Sequence, residues 1–393
     1  MSNPVEHIRR YQTELTTFRR DIHAHPELAF QESRTSDRVA EQLERWGIEV
    51  HRGLAKTGLV GVIPGRRSAQ RAVGLRADMD CLPMHETAER PHKSRNAGRM
   101  HACGHDGHTT MLLGAARYLS ETRNFAGTAY VIFQPAEEHG GGGNVMVQEG
   151  LFERFPANEV YALHNWPGLP AGQIAVRAGP VLAATDEIRI HVHGKGGHAA
   201  MPHLAVDPVV VTAHIITALQ TIASRNVNPL DAIVVSLCSM ETSQLGAFNV
   251  IPDAVKLIGT VRTFRGATQE LAEQRIREIA TLVAAGLGGS AELEYVRGYP
   301  ATVNTPREAE FAAQVAARIF GDNNVVREFD PTMGGEDFAY MLQAKPGAYL
   351  LLGQGGDQSG CYLHNPGYDF NDEVIPLGAG YLAALAEDAL PLT

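Results

Sequence analysis

The chain has 393 residues, is 44% hydrophobic and carries a formal net charge of -10, so it can bury large cores and is long enough for two or three domains. The acidic balance and the lack of any long basic run exclude nucleic acid or an anionic membrane surface as the main partner. No stretch reaches membrane-spanning length, and Met1 to Asp21, with Arg9, Arg10, Arg19 and Arg20 among polar residues, lacks the apolar core of a signal peptide.

In chain order, Glu32 to Trp46 reads as a helix stopped at Gly47, and Ala72 to Leu75 as a short apolar strand. A helix over His108 to Ser120 and strands over Thr128 to Phe133 and Glu159 to Leu163 follow. This alternation predicts a largely parallel sheet covered by helices, with chemistry beyond the strand C-termini. The middle changes pattern. Strands Asp186 to His193 and Ala232 to Ser239 flank the apolar helix Asp207 to Ser224, which opens with Pro208 at a favoured early position. Strand Val255 to Thr263, helix Thr268 to Ala285 and strand Ala291 to Val296 complete the βαββαβ order of a split ferredoxin-like unit.

After Pro300 the first pattern resumes, with helix Glu308 to Phe320, a glycine-containing turn at Met333 to Phe338, strand Ala348 to Leu352 and a helix through Ala379 to Ala389. The expected fold class is therefore α/β, a mostly parallel sheet domain made of residues 1–183 and 299–393 and interrupted by a ferredoxin-like domain at 184–298. The glycines of His139 to Gly143 read as a local loop, without the Lys-Ser/Thr ending of a phosphate-binding loop.

Four cysteines, Cys81, Cys103, Cys238 and Cys361, form no C-x-x-C pair, which fits a reducing cytoplasm better than a disulfide framework. Histidine is richer, at seventeen, and clusters in short motifs. Three histidines and a cysteine fall within His101 to His108, directly before a helix, where Cys103 and His105 suit a borderline metal. In Gln134-Pro135-Ala136-Glu137-Glu138 the proline breaks the strand ladder, so two adjacent carboxylates can share one pocket. His164 and His364 read as standing at strand ends; alone, either would be an ordinary core histidine. Five candidate ligands, Cys103, His105, Glu138, His164 and His364, exceed the needs of one catalytic ion and suit two, spaced roughly 3.5–4 Å apart around an activated water. Spacing alone leaves open which of Glu137 and Glu138 is ligand and which moves protons. In the middle domain, His198 follows a strand in a glycine-rich turn and could polarise a carbonyl or bind a carboxylate. Asn249 and Arg262 are further polar candidates for substrate binding, arginine being apt for a carboxylate.

Together these motifs resemble the dinuclear-metal amidohydrolases of the aminoacylase and carboxypeptidase superfamily, in particular the hippurate hydrolase and auxin-conjugate hydrolase branch. The likeness runs nearly end to end, through Arg19 to Leu28, Arg76 to Asp80, the Cys103 motif, Pro135 to Glu138, Gly196 to Ala200, Gly334 to Phe338 and His364 to Pro366. The resemblance implies that Cys103, His105, Glu138, His164 and His364 bind two divalent ions per subunit, zinc or manganese, with cobalt and nickel as alternatives, and that Glu137 is the general acid/base. It further implies a metal-bearing catalytic domain and a lid domain that mediates a homodimer or higher oligomer, with His198 reaching towards substrate. Arg76 stands where many relatives carry a metal-binding histidine, and Cys103 where they use aspartate; both changes are typical of this branch, and they make Asp78 an orienting residue rather than a ligand. The expected activity is hydrolysis of small N-acyl amino acids, hippurate-like or N-acetyl. A dipeptidase or exopeptidase and a catalytically silent metal-binding relative are the alternatives.

Overall fold

The computed structural model describes residues 3–244, 246–355 and 361–392. Two compact units emerge: one made of 1–181, 303–330 and 337–393, the other of 182–302 and 331–336.

In the first unit, apolar runs that are buried on both faces form the centre of an eight-stranded sheet. Arg67–Asp78 lies parallel to Ala126–Gln134 on one side and to Glu159–Trp166 on the other, and Glu159–Trp166 is parallel to Gly347–Gly353. An antiparallel hairpin, Glu49–Leu54 with Gly58–Pro64, extends one edge. At the other edge the two-residue strand Ile174–Ala175 runs antiparallel to Gly347–Gly353, with Val325–Val326 outside it. Helices His105–Thr122 and Ile375–Ala389 supply much of the covering core through Met111, Leu112, Leu119, Leu382 and Leu385, all essentially inaccessible. The class is α/β with a mostly parallel sheet.

Most elements are longer than the sequence periodicity indicates. The strand read as Ala72 to Leu75 continues to Asp78 because Arg76 and Asp78, polar in sequence, are buried and paired at 2.7 Å. The helix read from His108 begins at His105, so both histidines fall in its first turns. A short helix, Gly142–Gln148, starts within the glycine run read as a loop. Helix Gln12–Ala24 escapes a pattern reading because its inward face mixes Leu15, Phe18 and Ile22 with buried Arg19 and His23.

The second unit carries a four-stranded antiparallel sheet in the spatial order Ile233–Thr242, Ala254–Thr263, Ala184–His193, Ser290–Arg297. With helices Pro208–Leu219 and Gly266–Gly286 this is the βαββαβ ferredoxin-like arrangement. Its strands alternate inward and outward: Ile188, Ile190 and Val192 pack with Val255, Leu257 and Val261 against Ile215, Leu219, Ile276 and Ala280. The helix read as running to Ser224 stops at Leu219 and gives way to a wider turn at Ile222–Asn226.

Candidate metal centre and active site

Three parallel strands deliver the site. Asp78 and Gln134 are in register at the ends of neighbouring strands, and Arg76 sits opposite Ala162, which sets His164 two residues further along the third strand. Chemistry beyond the C-terminal ends of parallel strands is the expected placement. Facing them is the start of helix His105–Thr122. It is capped by Gly104 at φ +96, where a Cβ would also collide with the Asn165 side chain, so glycine is required on both conformational and steric grounds.

The acidic pair is held by its backbone. The chain leaves its strand at Gln134, turns through Ala136 at φ +57, and presents the N–H groups of Glu137 and Glu138 to Asp80, whose Oδ1 and Oδ2 accept them at 3.0 Å each. With the main chain fixed this way, both carboxylates share a pocket with His105: its Nε2 is 4.0 Å from Glu137 Oε2 and 3.8 Å from Glu138 Oε1. His105 Nδ1 is 3.0 Å from the Asp80 carbonyl oxygen, which orients the ring with Nε2 inward.

Two further groups join this one. Cys103 Sγ is 3.5 Å from His164 Nε2, and the donor atoms of Cys103, His105 and His164 all lie within 4.8 Å of one another. His364 Nε2 is 3.4 Å from Glu138 Oε1, and Cys103, Glu138 and His364 again fall within 4.8 Å. His364 is not at a strand end, as its sequence context suggests: strand Gly347–Gly353 finishes well before it, and His364 lies in a turn at φ +61, its N–H donating to Ala102 O at 2.8 Å. That bond ties it to the Cys103 loop.

Burial controls the charge states. It pushes the Cys103 thiol well up, with the Glu138 charge adding to the effect. Burial and the nearby His108 push His164 well below the usual imidazole range, leaving it neutral as a ligand must be. Burial opposes ionisation of Asp78, yet His105, Arg76 and His108 together hold it well below the carboxylate range. Glu138 is likewise held low against burial by His364 and His105.

The donor set fits divalent cations. His105 Nε2 is buried without a hydrogen-bond partner among the described residues, and Glu138 Oε1 has only the His364 imidazole 3.4 Å away, an arrangement that costs free energy unless something binds them. Thiolate, imidazole and carboxylate donors converge here, and a cation would reverse the upward push on the thiol.

Of the residues singled out from sequence, Cys103, His105, Glu137, Glu138, His164 and His364 come together, with Asp78 behind them, its Oδ1 2.6 Å from His108 Nδ1 and its Oδ2 3.8 Å from His105 Nε2. His198, Asn249 and Arg262 belong to the other unit. His198 is in a two-residue strand rather than a turn, paired with Val250; the Asn249 carbonyl oxygen accepts the Ala199 N–H, and Arg262 Nε donates to Thr260 Oγ1. Sequence reasoning missed Asp80, although Asp78-Met79-Asp80 puts two carboxylates on one side of the chain. It also missed the supporting pair His108 and Asn165, whose Nε2 and Oδ1 are 2.6 Å apart. Arg76, read as a replaced ligand, bridges Asp78 and Asp337 at 2.7 and 3.1 Å and donates to Gln134 Oε1.

Residues 74–388 match the family described as Peptidase family M20/M25/M40. A hippurate hydrolase of Campylobacter jejuni is 39% identical over 384 residues, which covers 98% of each chain. An IAA-amino acid hydrolase of Arabidopsis thaliana is 40% identical over 375 residues, 94% of this chain and 84% of that one. The crystal structure of a dinuclear metal-binding M20-family peptidase from Bacillus subtilis superposes with a TM-score of 0.85 at 32% identity, covering 97% of this chain and 99% of the other. Sequence and backbone agree along almost the whole length, and the chain belongs to peptidase family M20/M25/M40.

Proposed function

We propose that the protein is a metal-dependent amidohydrolase that splits the amide bond of N-acyl amino acids, hippurate-like or N-acetyl, into a carboxylic acid and an amino acid. The observation that carries this reading is the convergence of Cys103, His105, Glu138, His164 and His364 beside a second carboxylate, Glu137. The five would hold two divalent ions, zinc or manganese, cobalt and nickel being chemically compatible with the same donors. Such ions, when bound, lower the pKa of water and polarise a carbonyl. Glu137, held by its own N–H on Asp80, takes the proton of the attacking water and returns it to the departing amide nitrogen as the C–N bond breaks. Asp78 and Asp80 orient His108 and His105.

On the inserted domain, residues 184–298, His198 serves to polarise the substrate carbonyl, and Asn249 and Arg262 to bind the substrate carboxylate. This domain acts as lid and dimerisation surface in a cytoplasmic homo-oligomer. Support comes from its outermost strand, Ile233–Thr242, which has an unpaired edge within its sheet, and from exposed Met240 and Phe248. Among the described residues no helix is long and apolar enough to cross a membrane.

The test is a panel of benzoyl- and acetyl-amino acids and dipeptides offered to metal-reconstituted protein, alongside Glu137→Gln. Turnover of acylated amino acids is expected, with a loss on the order of 10²–10⁴-fold in the variant at unchanged metal content. Full activity of Glu137→Gln, or a preference for dipeptides, would overturn the reading.

A further inference from the structure

The backbone that carries Glu137 and Glu138 is gripped from two sides. Asp80 holds the N–H groups of Glu137 and Glu138. The N–H of the preceding residue, Ala136, donates at 2.9 Å to Glu32 Oε1, a carboxylate with no solvent exposure that belongs to the loop entering helix Ser33–Arg45. The same Oε1 accepts the Phe30 N–H at 3.0 Å, and Oε2 accepts the Thr57 hydroxyl at 2.6 Å. Glu32 therefore joins three segments distant in sequence.

Each of those segments contains a residue in the left-handed region without being glycine: Phe30 at φ +60, Ala55 and Lys56 at +48 and +69, and Ala136 at +57. Such conformations persist only where the surroundings impose them, and they concentrate at functional sites. Ala136 is the consequential one, since its turn aims the next two side chains. Three successive backbone N–H groups, of Ala136, Glu137 and Glu138, are thus consumed by two buried carboxylates, which leaves the loop one orientation.

We infer that Glu32 is a positioning residue for the Glu137 carboxylate, acting through the Ala136 N–H to hold the strained turn in its productive form. This rests on the role proposed for Glu137. Glu32 touches neither substrate nor ligand set; its effect is on where Glu137 points. The chemistry of the contact demands an acceptor at Oε1 and tolerates either a donor or an acceptor opposite the Thr57 hydroxyl. Glutamine satisfies both: its carbonyl oxygen accepts from Phe30 and Ala136, and its amide donates to Thr57 Oγ1. Leucine satisfies neither.

The experiment compares Glu32→Gln, Glu32→Leu and Glu32→Asp, the last a second probe should leucine fail to fold, since one methylene less withdraws Oε1 from its two donors. The first readout is deuterium uptake by the peptide covering residues 134–143, which needs no substrate. Opening at least about tenfold faster than wild type is expected in Glu32→Leu, and several-fold in Glu32→Asp, with helix His105–Thr122 unchanged and Glu32→Gln like wild type. The second is kinetic: in Glu32→Leu kcat falls at least about tenfold while KM stays within about threefold and metal content is retained, and glutamine restores kcat to within about threefold of wild type. In a Glu137→Gln background the leucine change costs no further activity. Unchanged exchange at 134–143 in both the leucine and aspartate variants, or a kcat loss in Glu32→Gln as deep as in Glu32→Leu, overturns the inference. If wild type turns over no N-acyl amino acid, the proposed function fails, and the exchange arm still decides the role of Glu32.

Discussion

Asp80→Asn replaces one carboxylate oxygen with an NH2 group and leaves a defect that can be counted. Oδ1 accepts the N–H of Glu137 and Oδ2 that of Glu138, both at 3.0 Å, and the Asp80 carboxylate is itself wholly inaccessible. Asparagine has one acceptor oxygen, so whichever way its amide turns, one of these N–H groups faces an NH2. A hydrogen bond to a charged group contributes about 1.5–3 kcal/mol, and an unpaired buried donor costs a comparable amount. If about 1.5–3 kcal/mol is felt in the transition state, where the position of Glu137 matters, kcat/KM drops roughly 10- to 150-fold. His105 keeps the Asp80 carbonyl oxygen as its partner at 3.0 Å, so metal binding should survive. The assay is kcat/KM on an N-acyl amino acid with metal quantified per subunit. Asp80→Asn within twofold of wild type at full metal content would refute the argument that Asp80 aims the acidic pair.

Burial, with the Asp80 charge adding and the Thr57 hydrogen bond opposing, pushes Glu32 up to about 7 from an ordinary 4.5. A raised carboxylate stabilises the fold fully below the unfolded value and loses that contribution as pH climbs through the folded one. Glu32→Gln should therefore gain stability relative to wild type between pH 5 and 8.5, by up to about 3 kcal/mol; an identical difference at both pH values in denaturant titrations would contradict this. Arg19, wholly buried, donates to Asp106, Asp369 and Asp372 at 3.2, 2.9 and 2.7 Å. Arg19→Met removes the cation these carboxylates share, leaving Asp106 to His23, Asp369 to Arg90 and Asp372 to Arg20, and should cost about 3 kcal/mol, read from the shift in denaturation midpoint; a shift below a fifth of that would show the cluster to be dispensable. Chelation should lower the thermal midpoint, because His105 Nε2 is left buried without a partner and Glu138 Oε1 with only the His364 imidazole 3.4 Å away, and zinc or manganese should restore it. A midpoint insensitive to both would argue that these atoms hold no metal.

Some of this protein is written locally. The alternation of apolar runs with helical periods specifies an α/β domain, and the order βαββαβ specifies the inserted unit, because each element needs only its own apolar face to be recognised. Pro135 ends a strand before the acidic pair wherever that strand lies, and the glycine before His105 marks a bend at a helix start. Other features depend on neighbours that no local window contains. Helix Gln12–Ala24 hides its period because Arg19 and His23 face inward, which is tolerable only once Asp106, Asp369 and Glu86 arrive from elsewhere to pair with them. Asp80 gains its role from the loop after a different strand, and His364 is set by a hydrogen bond to Ala102, not by the end of a strand. Sequence by itself determined which chemical groups exist and which segments are helix or strand. Only the tertiary structure decided which of them meet, because parallel strand register and buried charge pairing act between residues that the chain holds far apart.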